Sequence, residues 1–163
     1  TGIRIATHNP RELGTDRVVN AVAAHHLYGG PAIVVDFSTA TSFDVVAEDG
    51  TYVGSVIAPG LTLSAEALFR HTSRLPRVDL AMPRNVIGKD TTSALQSGLV
   101  LGHIAMVRGI ISRVRSETGV DGSIIATGEF ASLIACQAPE IDHLEPDLTL
   151  IGLRLIYELN HDL

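Results

Sequence analysis

The dipeptide Asp49-Gly50 lies between two runs rich in β-branched and aromatic residues, Thr41 to Ala47 and Tyr52 to Ile57. Asp-Gly accepts the positive φ angles that a tight antiparallel connection requires, so the spacing predicts a hairpin. A third run, Ala32 to Phe37, precedes it and is almost wholly apolar, as in a strand covered on both faces. Three strands in succession, with helical patterns after them, restrict the chain to a mixed sheet carrying helical layers.

The helices are read from apolar spacing and from end signals. One is expected from Thr15, with Thr15 as its cap, Asp16 at its positive end and Val18, Val19, Val22 and Ala23 on its apolar face. Gly29-Gly30 ends it. A second runs from Ser64 to Arg74 and stops before Pro76. The stretch from Asp90 to Thr118 repeats apolar residues at helical spacing and contains Gly98, Gly102 and Gly109, so another helix is expected to cross it there. A strand from Ser123 to Ala126, a short helix from Phe130 to Ala135 and a last helix from Leu148 to Asn160 complete the order, the last capped by Asp147 or Thr149. Gly2 to Ile5 reads as a strand or strand end. This succession predicts an α/β, RNase H-like mixed sheet with flanking helices, one domain over residues 1–163. No Walker loop or G-x-G-x-x-G is present.

Composition narrows the function classes. Hydrophobic residues make up 45% of the 163, enough for a dry core. With 12 Lys+Arg against 18 Asp+Glu the net charge is -6, which disfavours nucleic acid as a partner. The single cysteine, Cys136, excludes an internal disulfide and is expected to be a small buried residue. The longest unbroken apolar runs, such as Ala32 to Val35, are too short to span a bilayer, and no signal-peptide pattern is present. A cytoplasmic chain with no membrane partner is the expectation. The seven histidines lack ligand spacing, so no zinc site is expected. Arg108, Arg113 and Arg115 read as a solvated face of the long helix.

Three places can carry chemistry. Asp16-Arg17, after Gly14, offers a proton acceptor beside a guanidinium that can hold an anionic or carbonyl group; an acid favoured by the helix dipole plus a solvated arginine explains the same pair. Asp36 ends a buried strand before Phe37-Ser38-Thr39-Ala40-Thr41, where a carboxylate needs a partner or a cation; an Asx-type turn would also satisfy it. Thr91, in Gly88-Lys89-Asp90-Thr91-Thr92, stands at a helix start, suited to anion binding or simply to capping.

Taken in order, Gly14-Thr15-Asp16-Arg17-Val18-Val19-Asn20, Asp36-Phe37-Ser38-Thr39-Ala40-Thr41, Ile57-Ala58-Pro59-Gly60, Leu75-Pro76, Ile87-Gly88-Lys89-Asp90-Thr91 and Ala126-Thr127-Gly128 resemble the type III pantothenate kinases, of the acetate and sugar kinase/actin superfamily. Leu148-Thr149-Leu150 with Gly152-Leu153 fits as well. The resemblance implies the rear half of such an enzyme, and the Asp-x-Gly-Asn-type loop of the family's first domain has no match here. It implies Asp16 as general base, Gly14, Thr15, Asp16, Arg17 and Thr91 as pantothenate contacts, Thr39 as an ATP contact and Asp36 as ligand of a monovalent cation (K+ or NH4+). ATP, Mg2+ and an oligomer, with a chain or segment carrying the phosphate-binding domain, follow by the same resemblance. Ser38, Ser55 and Glu129 stand where the family commonly has glycine, which points to the alternative of a non-catalytic relative acting as scaffold or regulatory subunit, as the Bvg accessory factors suggest.

Overall fold

The computed structural model describes residues 2–119 and 121–161. Helix α1 (Thr15–Tyr28) leads into β1 (Ala32–Phe37), β2 (Ala40–Val46) and β3 (Tyr52–Pro59). Helix α2 (Leu61–His71), a long segment without regular structure, α3 (Thr91–Gln96) and α4 (Gly102–Thr118) follow. Strand β4 (Ser123–Thr127), α5 (Ala131–Ala135), β5 (His143–Leu144) and α6 (Leu148–His161) close the order.

The sheet runs β3-β2-β1-β4-β5. β1, β2 and β3 pair antiparallel, while β4 lies parallel to β1 and β5 parallel to β4. That is the RNase H-like arrangement expected. The hairpin turns where the Asp-Gly pair stands: Gly50 takes φ +80 and the Asp49 carboxylate accepts from the Thr51 backbone at 2.9 Å. Strand β5 is too short to leave a pattern, and its stretch reads in the sequence as an acidic loop.

Alternation along the strands gives the sheet two unlike faces. Ile33, Val35, Phe37, Phe43 and Val45 point toward the long helix and meet Val100, Ile104, Val107 and Ile111 in the larger core. Ala32, Val34, Val46, Tyr52 and Ile125 point the other way and meet Ala21, Ala24 and Leu148 of α1 and α6. A Cβ at Gly152 would run into the Val19 backbone carbonyl, so glycine is what lets α6 lie directly on α1.

Several local expectations are corrected. The cap of α1 is Gly14, with no side-chain hydrogen bond, and Thr15 is the first helical residue. Helix α2 starts three residues earlier than the spacing suggests, directly after Gly60. Gly2 to Ile5 forms no strand beyond an isolated bridge from Ile5 to Tyr52. The long helix is broken by a π-helical turn at Ser97–Leu101, whose extra residue lets both Leu99 and Val100 face the core. Among the described residues none crosses it at the glycines: a Cβ at Gly98, Gly102 or Gly109 would meet nothing within 4 Å. By length and hydropathy Thr91–Thr118 would pass as a bilayer-spanning helix, although no unbroken apolar run suggests it; here its apolar side packs on the sheet. Cys136 is exposed, its thiol donating to the Leu133 carbonyl at 3.0 Å. Arg108 is no free solvated charge, since its Nε donates to Glu140 at 2.7 Å, and half-buried Arg115 reaches the Gly122 carbonyl at 3.4 Å.

Candidate functional site

The N-terminus of α1, the C-terminal end of β1 and the β2–β3 ladder enclose an open cleft of about 300 Å³. Asp16, Arg17, Asp36, Ser38, Thr39 and Ser42 line it. Three segments separated in the chain are thereby brought together, because β1 and α1 are joined by a connection of only three residues and α1 must pack back over the sheet. The cleft lies where the sheet's α1-facing side turns from apolar to polar.

Asp36 sits one residue before the end of β1, half-buried. Its Oδ1 accepts from the Ser38 hydroxyl and its Oδ2 from Asn20 Nδ2 at 3.2 Å. Burial pushes its carboxyl above the ordinary range; the Ser38 hydrogen bond opposes this, the nearby Asp16 charge adds to it, and the Asn20 contact opposes it again. Asn20 is itself fully buried and its Oδ1 accepts from the Thr149 hydroxyl at 2.7 Å. Thr149 therefore does not cap α6. It ties that helix through Asn20 to Asp36.

Asp16 is exposed at the cleft mouth, and its carboxylate folds back over Gly14, where a Cβ would lie 2.5 Å from Oδ1. Gly14 thus leaves room for the acid. Arg17 reaches down the sheet instead: its Nη1 donates to Ser55 Oγ at 2.7 Å and lies 3.8 Å from Oδ1 of Asp44. Asp44 is fully buried and accepts from Tyr52 Oη at 2.5 Å and Ser42 Oγ at 2.7 Å. No motif in the sequence marks Asp44 or Tyr52, and Asn20 stands out only as the last residue of the Gly14 to Asn20 run. The available signal is the polar alternation Ser42, Asp44 inside an otherwise apolar strand, a pattern that any solvent-facing strand also gives.

Thr39 lines both this cleft and a neighbouring recess of about 200 Å³, whose other walls include Thr62, Glu66 and Glu129. Two glycine backbones close on the loop. A Cβ at Gly60 would strike the Thr39 carbonyl, and Gly128, at φ +91, would place one 2.6 Å from Asp36 Oδ1. Thr91 is not part of either space. It follows Asp90, whose carboxylate accepts from Ser93 N at 2.8 Å in a capping box, so the cap at this end is Asp90. The segment from Met82 to Gln96 forms its own cavity of about 380 Å³, lined by Arg84, Lys89 and Asp90.

These donor types suit a hard cation at Asp36, since each carboxylate oxygen keeps a free lone pair and hydroxyl oxygens stand beside it. Among the described residues no group of three or more His, Cys, Asp or Glu could hold a metal ion.

A family model described as type III pantothenate kinase matches residues 1–113. The type III pantothenate kinase of Geobacillus sp. (strain WCH70) is 49% identical over 162 residues, covering 99% of this chain and 63% of that protein. The chain belongs to the type III pantothenate kinase family. The family member from Moorella thermoacetica is 50% identical over 160 residues, 98% of this chain and 63% of its own length. The chain thus spans less than two thirds of these type III pantothenate kinases. Among solved structures, a Baf family transcriptional activator from Campylobacter jejuni has the same fold, with a TM-score of 0.66 at 20% identity over 98% of this chain and 70% of that one.

Proposed function

We propose that this chain supplies the pantothenate site and the general base of an ATP-dependent pantothenate kinase, making 4′-phosphopantothenate for coenzyme A synthesis. The observation that carries the reading is the convergence of Asp16, Arg17, Asp36 and Thr39 on one open cleft. Asp16, exposed at its mouth, accepts the proton of the pantothenate hydroxyl, and Arg17 holds an anionic or carbonyl group of the same molecule. Asp36 holds a monovalent cation beside the Ser38–Thr39 loop, where it offsets phosphate charge. Mg2+ enters on the nucleotide, and a phosphate-binding domain supplied by further polypeptide completes the ATP site. Phosphoryl transfer asks chiefly for positioning and charge neutralisation, which is what these residues provide.

Thr91 contacts pantothenate from a second copy of the chain, because its own segment shares no wall with the cleft. Exposed Val86 and Ile87 and the open surface at Gly98, Gly102 and Gly109 support an oligomer through the long helix. The assembly works in the cytoplasm.

The test is Asp16→Asn in the whole enzyme. Asn keeps the shape and the hydrogen bond but cannot take the proton, so kcat falls about a hundred- to ten-thousandfold while KM for pantothenate holds. Near-normal kcat removes Asp16 from the chemistry. A second reading, a non-catalytic scaffold, draws on Glu129 and Glu66, whose carboxylates line the recess beside Thr39 and repel a triphosphate. Under it, Glu129→Gly tightens nucleotide binding in a protein that shows no turnover.

A further inference from the structure

We propose that Asp44 is the positioning residue for Arg17: from beneath the cleft it fixes the guanidinium in the pose that receives the ligand. The inference rests on the pantothenate reading for the ligand's name, but its geometry does not.

Asp44 lies in the middle of β2, opposite Val34 on one side and Ser55 on the other. A carboxylate there, with no exposed surface, is costly unless its charge is used. Its oxygens receive two O–H donors, from Tyr52 and Ser42, and neither donor carries charge. The positive group facing it is Arg17, 3.8 Å away and only 16% exposed at the side chain. The same Nη1 donates to Ser55, whose exposed hydroxyl competes with water and contributes little alone. Burial pushes the Asp44 carboxyl up, and the hydrogen bonds from Tyr52 and Ser42 and then the Arg17 charge oppose that rise, so an ion pair at 3.8 Å holds the guanidinium in addition to the Ser55 hydroxyl. Tyr52 and Ser42 in turn keep Asp44 from swinging toward another partner.

Arginine carries about 2 kcal/mol of side-chain rotamer entropy, which an unanchored Arg17 would surrender on each binding event. Anchored by Asp44, it has already done so, and its remaining N–H groups can face the cleft before the ligand arrives. Asp44 touches no ligand in this scheme. It acts through Arg17 alone.

The experiment uses the whole protein with two readouts. ¹⁵N NMR of the Arg17 guanidinium reports whether rotation about its Nε–Cζ bond is hindered, and calorimetry without nucleotide reports pantothenate affinity. In wild type and in Ser55→Ala the Arg17 signals are expected to be hindered, since Asp44 remains. In Asp44→Asn they average, and pantothenate binds about ten- to a hundredfold more weakly. In an Arg17→Ala background the same Asp44→Asn change is expected to cost no further affinity. Hindered Arg17 signals in Asp44→Asn, additive losses in the double variant, or free rotation in Ser55→Ala would each overturn the proposal. The Ser55→Ala arm leaves Asp44 untouched and decides the matter even if Asp44→Asn does not fold. Failure of the wild type to bind pantothenate overturns the proposed substrate instead, and the NMR arm still judges Asp44.

Discussion

On the α4 side of the sheet, Ile33, Val35, Phe37, Phe43 and Val45 meet a helix with nothing but hydrocarbon between them over most of the contact. On the α1 side the same strands change character along their length. Ala32, Val34 and Val46 are apolar, but Asp36, Ser42 and Asp44 follow at the same side-chain orientation. The first face gains stability from every residue it buries, at roughly 1.5–3 kcal/mol per large side chain. The second gives some of that up to keep carboxylates under a helix N-terminus. One sheet therefore carries a wholly apolar face and a face that turns polar at the cleft, by the alternation of its side chains alone.

The strongest way to break this comparison is on the dry side. Phe43→Ala empties a fully buried position and should cost about 3–5 kcal/mol in denaturant melts. Pantothenate affinity of the protein that remains folded should match wild type. A selective loss of affinity would show that the two faces are not separable. Gly152→Ala on the wet side sharpens the contrast. Its methyl group pushes α6 away from the Val19 carbonyl, at about 1–3 kcal/mol, and strains the Thr149–Asn20–Asp36 chain. Here activity should fall along with stability; unchanged kcat/KM would mean that α6 only packs.

The smallest effect concerns His103, on α4, which is buried against Phe37 and hydrogen-bonded to Thr41 Oγ1 at 3.0 Å. Burial lowers its pKa below the ordinary 6.5, so the unfolded chain takes up a proton that the folded one refuses. Stability from this histidine is complete above 6.5 and is lost as pH falls through 6.5 toward the lowered value. His103→Gln should flatten that part of the Tm profile. A profile that keeps its slope would place the proton uptake elsewhere.

Much of the frame is legible in the sequence because it depends on local rules. The hairpin at Asp49-Gly50, the buried run of β1 and the apolar face of α1 each lie within a few residues of their signal. Asp16, Arg17 and Asp36 are likewise marked by their places at element ends. Asp44 is not, since a polar residue alternating in a strand looks the same beneath a helix as beneath water. Thr149 reads as a cap until the structure brings Asn20 to its hydroxyl. Gly98 and Gly102 promise a crossing helix, and only the assembled chain shows that this surface is left open. What was hidden is what depends on distant partners.

The hydrogen bond from Thr149 to Asn20 joins residues 129 positions apart. During synthesis at about 5–20 residues per second, α1 and β1 to β3 leave the ribosome well before α6 does. A nascent chain can therefore pair β1 with β2 and seat Asp16 while Asn20 still lacks the partner that orients it toward Asp36. Order at this site waits on α6, and a product cut short before that helix would carry both Asp16 and Asp36 without the clasp that ties Asn20 in place.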